Sequence, residues 1–145
     1  MDERSTRAAK RAAFEVLEHP GDMKLRAWGP TLGQLFINAA EGMMTYLFGE
    51  QIARAQPKGS ERIEITSSDR EALLVDWLSE ILYRVTSEYQ AYIGFRIDEI
   101  DDRRLVATAG TVSAEATDDI KAVTHHELSI RKQDDGWDAT VVFDI

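Results

Sequence analysis

The sequence predicts an α+β fold: a single domain with a largely antiparallel β-sheet and two helices packed on one face. Three observations carry this. Two segments place apolar residues at helical spacing, and each opens on a capping signature. The remainder alternates with period two between turn sequences. After the second helix, four such extended segments follow one another to the end of the chain, the order expected of antiparallel neighbours rather than of βαβ units.

Taken in order, residues 1–12 carry Arg4, Arg7, Lys10 and Arg11 among alanines and read as a flexible, solvated basic arm ahead of a domain spanning 13–145. Phe14–His19 and Met23–Trp28 are short strands separated by the turn sequence Pro20-Gly21-Asp22. Thr31-Leu-Gly-Gln34 is a capping box after Pro30, and Leu32, Leu35, Phe36, Ala39, Ala40, Met43 and Leu47 form one buried stripe that Gly49 ends. Arg62–Thr66 is a strand between the helices. Ser68-Asp-Arg-Glu71 is a second capping box, followed by the wide stripe Leu74, Trp77, Leu78, Ile81, Leu82 and Val85. The helices are thus expected at about 31–48 and 69–88. Strands follow at Ile93–Ile100, Leu105–Val112 and Ile120–Arg131, with turns at Asp101-Asp-Arg103 and Asp134-Asp-Gly136, before the last strand, Trp137–Ile145.

Composition narrows the chemistry. The absence of cysteine excludes disulfides and thiolate metal sites, leaving oxygen and imidazole as metal ligands. A net charge of −9 opposes sequence-independent binding to phosphate backbones, so RNA is expected to matter only indirectly, through a partner. No apolar run approaches the length of a membrane span and no secretory signal core opens the chain, so a cytoplasmic protein without a membrane partner is expected.

The acids of the last strand are its distinctive feature. Asp138, Thr140, Val142 and Asp144 face one way, and Trp137, Ala139, Val141, Phe143 and Ile145 the other. The Asp144 side chain and the Ile145 main-chain carboxylate therefore sit within one residue of each other, and their oxygens suit a hard cation such as Ca²⁺ or Mg²⁺ if a further carboxylate joins them. Asp22, in a tight turn where Gly21 lets the backbone approach closely, is the candidate. Three carboxylates meeting at about 5 Å would repel by roughly 3 kcal/mol per pair at an effective dielectric near 20, so something positive must compensate. Taken alone, Asp22 also reads as an ordinary Asx turn and Asp144 as a solvated strand-end acid, and spacing does not show that they meet. On a continuous strand His125 and His126 point to opposite faces, while Lys121 shares a face with Val123 and His125. No zinc pattern, nucleophile elbow, phosphate-binding glycine loop or triad order is present, so an independent enzyme, including an autonomous metal-dependent hydrolase, is not expected.

Three stretches together resemble one family. Glu15-Val-Leu-Glu-His-Pro-Gly-Asp22, followed by Leu25-Arg-Ala-Trp-Gly29 and Thr31-Leu32, is similar to the first motif of the archeases, a hydrophobic run into His-Thr-Ala-Asp. Leu73-Leu74 with Trp77-Leu78 resembles the family's leucine-rich helix, and Ile120-Lys-Ala-Val-Thr-His-His126 its Lys-Ala-Val-Thr-Tyr-His segment. Val141-Val-Phe-Asp-Ile145 is similar to the family's closing strand, which ends on Asp-Ile or Asp-Val. The resemblance spans Phe14 to Ile145, departing at Pro20 and Gly21, where Thr and Ala are usual, at His125, where Tyr is usual, and in a shorter stretch before Ile120.

The resemblance implies an accessory protein of the GTP- and Mn²⁺-dependent RNA ligase of tRNA splicing and RNA repair, one that promotes ligase guanylylation and multiple turnover. A chaperone or modulator of RNA-modifying enzymes such as methyltransferases is the alternative role. It further implies a divalent metal, Ca or Mg before Mn, held by Asp22, Asp144 and the main-chain carboxylate of Ile145, with Lys121 and the first-motif His19 as partner or functional candidates.

Overall fold

The computed structural model describes residues 13–145; the basic arm expected over residues 1–12 lies outside the described residues. The chain runs β1 (Phe14–His19), β2 (Asp22–Gly29), α1 (Leu32–Phe48), a 3-10 turn (Gly49–Ile52), β3 (Gly59–Thr66), α2 (Arg70–Glu88), β4 (Gln90–Ile100), β5 (Arg104–Ser113), β6 (Ala122–Val123), β7 (Ser129–Gln133) and β8 (Gly136–Asp144). The α+β class and the two helices stand as expected.

The strands are antiparallel as expected but divide into two sheets instead of the one expected. The larger has the order β1-β2-β8-β6, with β7 pairing β8 on the same side as β6; the smaller is β3-β5-β4. On the larger sheet, Met23, Leu25 and Ala27 of β2 and Ala139, Val141 and Phe143 of β8 are buried on one face. That face receives α1, which also packs on β4 and so joins the two sheets. Helix α2 packs on β3 and β4 and reaches β6 and β7. The helices meet at the fully buried Trp77, whose indole Nε1–H donates to the Phe36 carbonyl at 3.0 Å and whose ring stands edge-on to Phe95 at 5.8 Å.

The helix starts follow their caps. Thr31 Oγ1 accepts from the Gln34 amide at 3.1 Å, but the Gln34 side chain bonds Asn38 Oδ1 at 2.9 Å instead of closing the box. Asn38 in turn donates to the Trp28 carbonyl at 2.6 Å, tying the helix to the end of β2. At α2 the cap is Asp69, one residue after the expected Ser68, because the Asp69 carboxylate accepts from the Ala72 amide at 2.8 Å.

The continuous strand expected over 120–131 is the main correction. It breaks between β6 and β7: Thr124 Oγ1 donates to the Val142 carbonyl at 2.8 Å and accepts from the His126 amide at 3.2 Å, and Glu127 adopts a left-handed φ of 54°. A hydroxyl that bonds the neighbouring backbone competes with the ladder, so two short strands share one edge of β8. His125, His126 and Glu127 are therefore exposed turn residues, and the strand alternation that put Lys121 on a face with His125 does not apply.

Candidate functional site

The β1–β2 hairpin closes through the two residues Pro20 and Gly21, with Gly21 at φ 85°, a conformation open to glycine and strained for a side chain. Asp22 is accordingly the first residue of β2 rather than a turn residue. It pairs with His19 of β1 on one side and with Asp144 of β8 on the other, and Asp144 pairs with Ala122 of β6. Directly opposed residues of antiparallel strands project to the same face, so the side chains of His19, Asp22, Asp144 and Ala122 form one transverse row along an end of the sheet. The row lies on the face opposite the helices.

Two backbone bonds complete the corner. The Ile145 amide donates to the Gly21 carbonyl at 3.3 Å, and the Lys121 amide donates to the Asp144 carbonyl at 2.7 Å. The first makes Asp22 and Asp144 a non-hydrogen-bonded pair, the closer of the two antiparallel pairings. The Ile145 side chain packs on the core, so its backbone is held beside the turn. His19 Nδ1 lies 3.4 Å from Asp22 Oδ1, with 57% and 44% of the two side chains exposed.

The surroundings are acidic. Lys24, two residues along β2, reaches away to Glu127 at 3.3 Å, in the turn that breaks the expected strand. On the other side, the Tyr46 hydroxyl is pushed above the usual phenol value, first by burial and then by the negative charges of Glu18, Asp118 and Asp119. The loop carrying Asp118 is tied to the end of α1, where the Thr117 amide donates to the Leu47 carbonyl at 2.8 Å.

All five residues singled out from the sequence thus lie at one end of the larger sheet: His19, Asp22, Asp144, Ile145 and, one residue before β6, Lys121. Sequence reasoning passed over Glu18, Asp118, Asp119 and the Lys24–Glu127 ion pair; the Asp-Asp doublet just before Ile120 was the signal available. Among the described residues, no three His, Asp or Glu side chains gather as a metal-holding group. The oxygen donors brought together here are the carboxylates of Asp22 and Asp144, opposed on one face, and carboxylate oxygens suit a hard divalent cation rather than a soft one.

Comparison with known proteins agrees with the motif reading. The sequence profile of the archease protein family matches residues 14–145. The chain is 36% identical to the archease of Methanosarcina acetivorans over 141 residues, covering 91% of this chain and 95% of that protein. It is 34% identical to the archease of Methanothermobacter thermautotrophicus over 139 residues, with 91% and 98% covered. Among solved structures, a Methanobacterium thermoautotrophicum protein superposes with a TM-score of 0.75 at 32% identity, over 92% of this chain and 99% of that one. A Thermotoga maritima archease described as a possible chaperone has the same fold, with a TM-score of 0.59 at 19% identity over 90% and 96%.

Proposed function

The chain belongs to the archease family, and from that premise we propose that it is a non-catalytic, metal-binding activator of a GTP- and Mn²⁺-dependent RNA ligase in tRNA splicing or RNA repair, acting in the cytoplasm. The observation that carries the proposal is the cross-strand pairing of Asp22 with Asp144, with Ile145 tied to Gly21 beside them. Strands far apart in sequence bring like charges together at one end of the sheet. That arrangement opposes stability unless a cation or a basic partner surface answers it.

In this reading Asp22, Asp144 and the Ile145 main-chain carboxylate hold a divalent ion, which supplies positive charge at the tip of the sheet. His19 orients the Asp22 carboxylate, and Lys121, exposed next to the row, contacts the ligase. The acidic surface suits a basic RNA enzyme and mainly speeds encounter, so RNA is met only through the ligase. Once docked, the tip braces the ligase active site and promotes guanylylation and repeated turnover.

The test combines the purified ligase, GTP and Mn²⁺ with and without this protein and follows guanylylated ligase over several turnovers. The expected result is faster guanylylation and continued turnover, lost in Asp22→Ala and Asp144→Ala and reduced in Lys121→Ala. No gain from the wild-type protein sinks the activator role; full stimulation by both aspartate variants sinks the site.

The description of the Thermotoga maritima relative as a possible chaperone supports a second reading, protection of RNA-modifying enzymes such as methyltransferases. It predicts suppression of client aggregation that chelators leave intact, whereas the activator role is chelator-sensitive.

A further inference from the structure

A cavity of about 270 Å³ opens on the far side of α1 from the acidic row, between the C-terminal end of that helix, the 3-10 turn and the middle of β4. Its apolar lining is formed by Met44, Tyr92 and Phe95, all buried, with the half-buried Ile52. Two carboxylates join them, Glu41 from α1 and Glu50 from the 3-10 turn.

Among the described residues neither carboxylate has an ion pair or a hydrogen bond. Glu41 reaches solvent, yet the protein around its carboxyl displaces enough water to raise its pKa above the ordinary Glu value, and among the described residues no positive group offsets that burial. Helix α1 also ends at this cavity with no basic residue in its last turn, so the negative end of its dipole adds to the field of the two acids.

The opposite wall comes from an irregularity in β4. The register against β5 shifts between Ile93 and Arg96, and Gly94, at φ 60°, sits in the shift. A Cβ built at Gly94 would meet nothing within 4 Å. A bulge of this kind bends a strand, and here it leaves bare backbone facing the cavity instead of a side chain.

An apolar lining beside unpaired carboxylates, at the negative end of a helix, complements one class of ligand. We infer that this cavity binds an organic cation, an ammonium or guanidinium head carried on a short apolar stem. The stem lies along Met44, Ile52 and Phe95, and the head meets Glu41 and Glu50. Anions are repelled, and a neutral molecule of the same shape gains only the stem contacts. The inference does not depend on the ligase reading, since none of these residues belongs to the row at the end of the sheet.

The full chain, labelled with ¹⁵N, is titrated with n-hexylammonium chloride and, in parallel, with 1-hexanol, following the amide signals of Gly49 and Gly94. Hexylammonium is expected to move both signals and to bind about fivefold more tightly than hexanol, the fold-change that ~1 kcal/mol of ion pairing supplies at a solvent-accessible site. E41Q is expected to remove most of that difference while leaving hexanol binding unchanged. Its thermal unfolding, expected at or above that of the wild type, establishes that it folds. Spermidine and a short lysine-containing peptide separate the two sources of such a cation: free polyamine binding points to a small molecule, peptide binding alone to a partner's side chain. Unmoved Gly49 and Gly94 signals, equal affinity for hexylammonium and hexanol, or unchanged hexylammonium affinity in an E41Q/E50Q double variant overturns the inference.

Discussion

Replacing Asp144 by Asn tests the electrostatics of the acidic row directly. Asp22 and Asp144 form a non-hydrogen-bonded cross-strand pair, which sets their Cβ atoms about 5 Å apart. Two carboxylates at that separation repel by about 3 kcal/mol at an effective dielectric of ~20 and by about 1 kcal/mol in water. Asp22 keeps 44% of its side-chain exposure, and the screening this implies makes the water limit the working value. Asn keeps the shape and removes the charge, so in EDTA the variant is expected to be more stable than the wild type by ~1 kcal/mol, a rise in Tm of about 3 °C for a chain of this size. A divalent ion reverses the order. At ten times its Kd it stabilises the wild type by ~1.4 kcal/mol and leaves the variant unmoved. The assay is scanning calorimetry at one fixed pH, in EDTA and then in Ca²⁺, Mg²⁺ and Mn²⁺. A variant less stable than the wild type in EDTA would refute the repulsion, and an identical ion-dependent shift in both proteins would refute the site.

Extending the chain by one glycine after Ile145 is expected to abolish the ion-dependent shift in Tm while leaving the Tm in EDTA within a degree or two; an unchanged shift removes the main-chain carboxylate from the site. Tyr92→Phe reads the buried corner of the smaller sheet, where the Tyr92 hydroxyl donates to Glu61 at 2.9 Å and accepts from Gln90 at 2.9 Å. Burial, with the Glu61 carboxylate adding to it, pushes this phenol up to about 12. The unfolded chain gives up the proton near the ordinary value of about 10 and the folded chain holds it, so ~2–3 kcal/mol of stability present below pH 10 drains away as the pH rises toward 12. Urea unfolding across that range should show a loss in the wild type that the Tyr92→Phe variant, having no phenol to titrate, does not share. Asp69→Ala is expected to lower stability by ~1 kcal/mol and Ser68→Ala to change it little, read as urea midpoints, because only the Asp69 carboxylate caps α2. Trp77→Phe is expected to lose about 2 kcal/mol in the same assay, since it removes a buried indole and its bond to the Phe36 carbonyl.

Much of the fold was legible because its signals are local. Thr31 and Asp69 cap helices whose apolar stripes recur every three or four residues, and Gly49 ends the first at a positive φ of 63°. Asp101 turns the chain between β4 and β5 by accepting from the amides of Arg103 and Arg104 at 2.8 Å. The break in the segment 120–131 has no local signal for a matching reason: its period-two pattern continues through Thr124, but the Thr124 hydroxyl bonds the Val142 carbonyl of a strand that follows later in the chain. Nor did any local signal send Lys24 to Glu127, 103 residues away in the turn between β6 and β7.

The candidate site divides the same way. The ordered motifs are enough to identify the family, and the oxygens of Asp22, Asp144 and Ile145, with no cysteine anywhere in the chain, are enough to name the residue types. That these residues share an end of one sheet follows from the folded chain alone. Periodicity and caps reflect free energies within a few residues, whereas the pairing of β2 with β8 is set by burying Met23, Leu25, Val141 and Phe143 against α1. A slip of one residue in that pairing would turn the buried face of a strand outward, and the same constraint that keeps these apolar side chains inside holds Asp22 opposite Asp144.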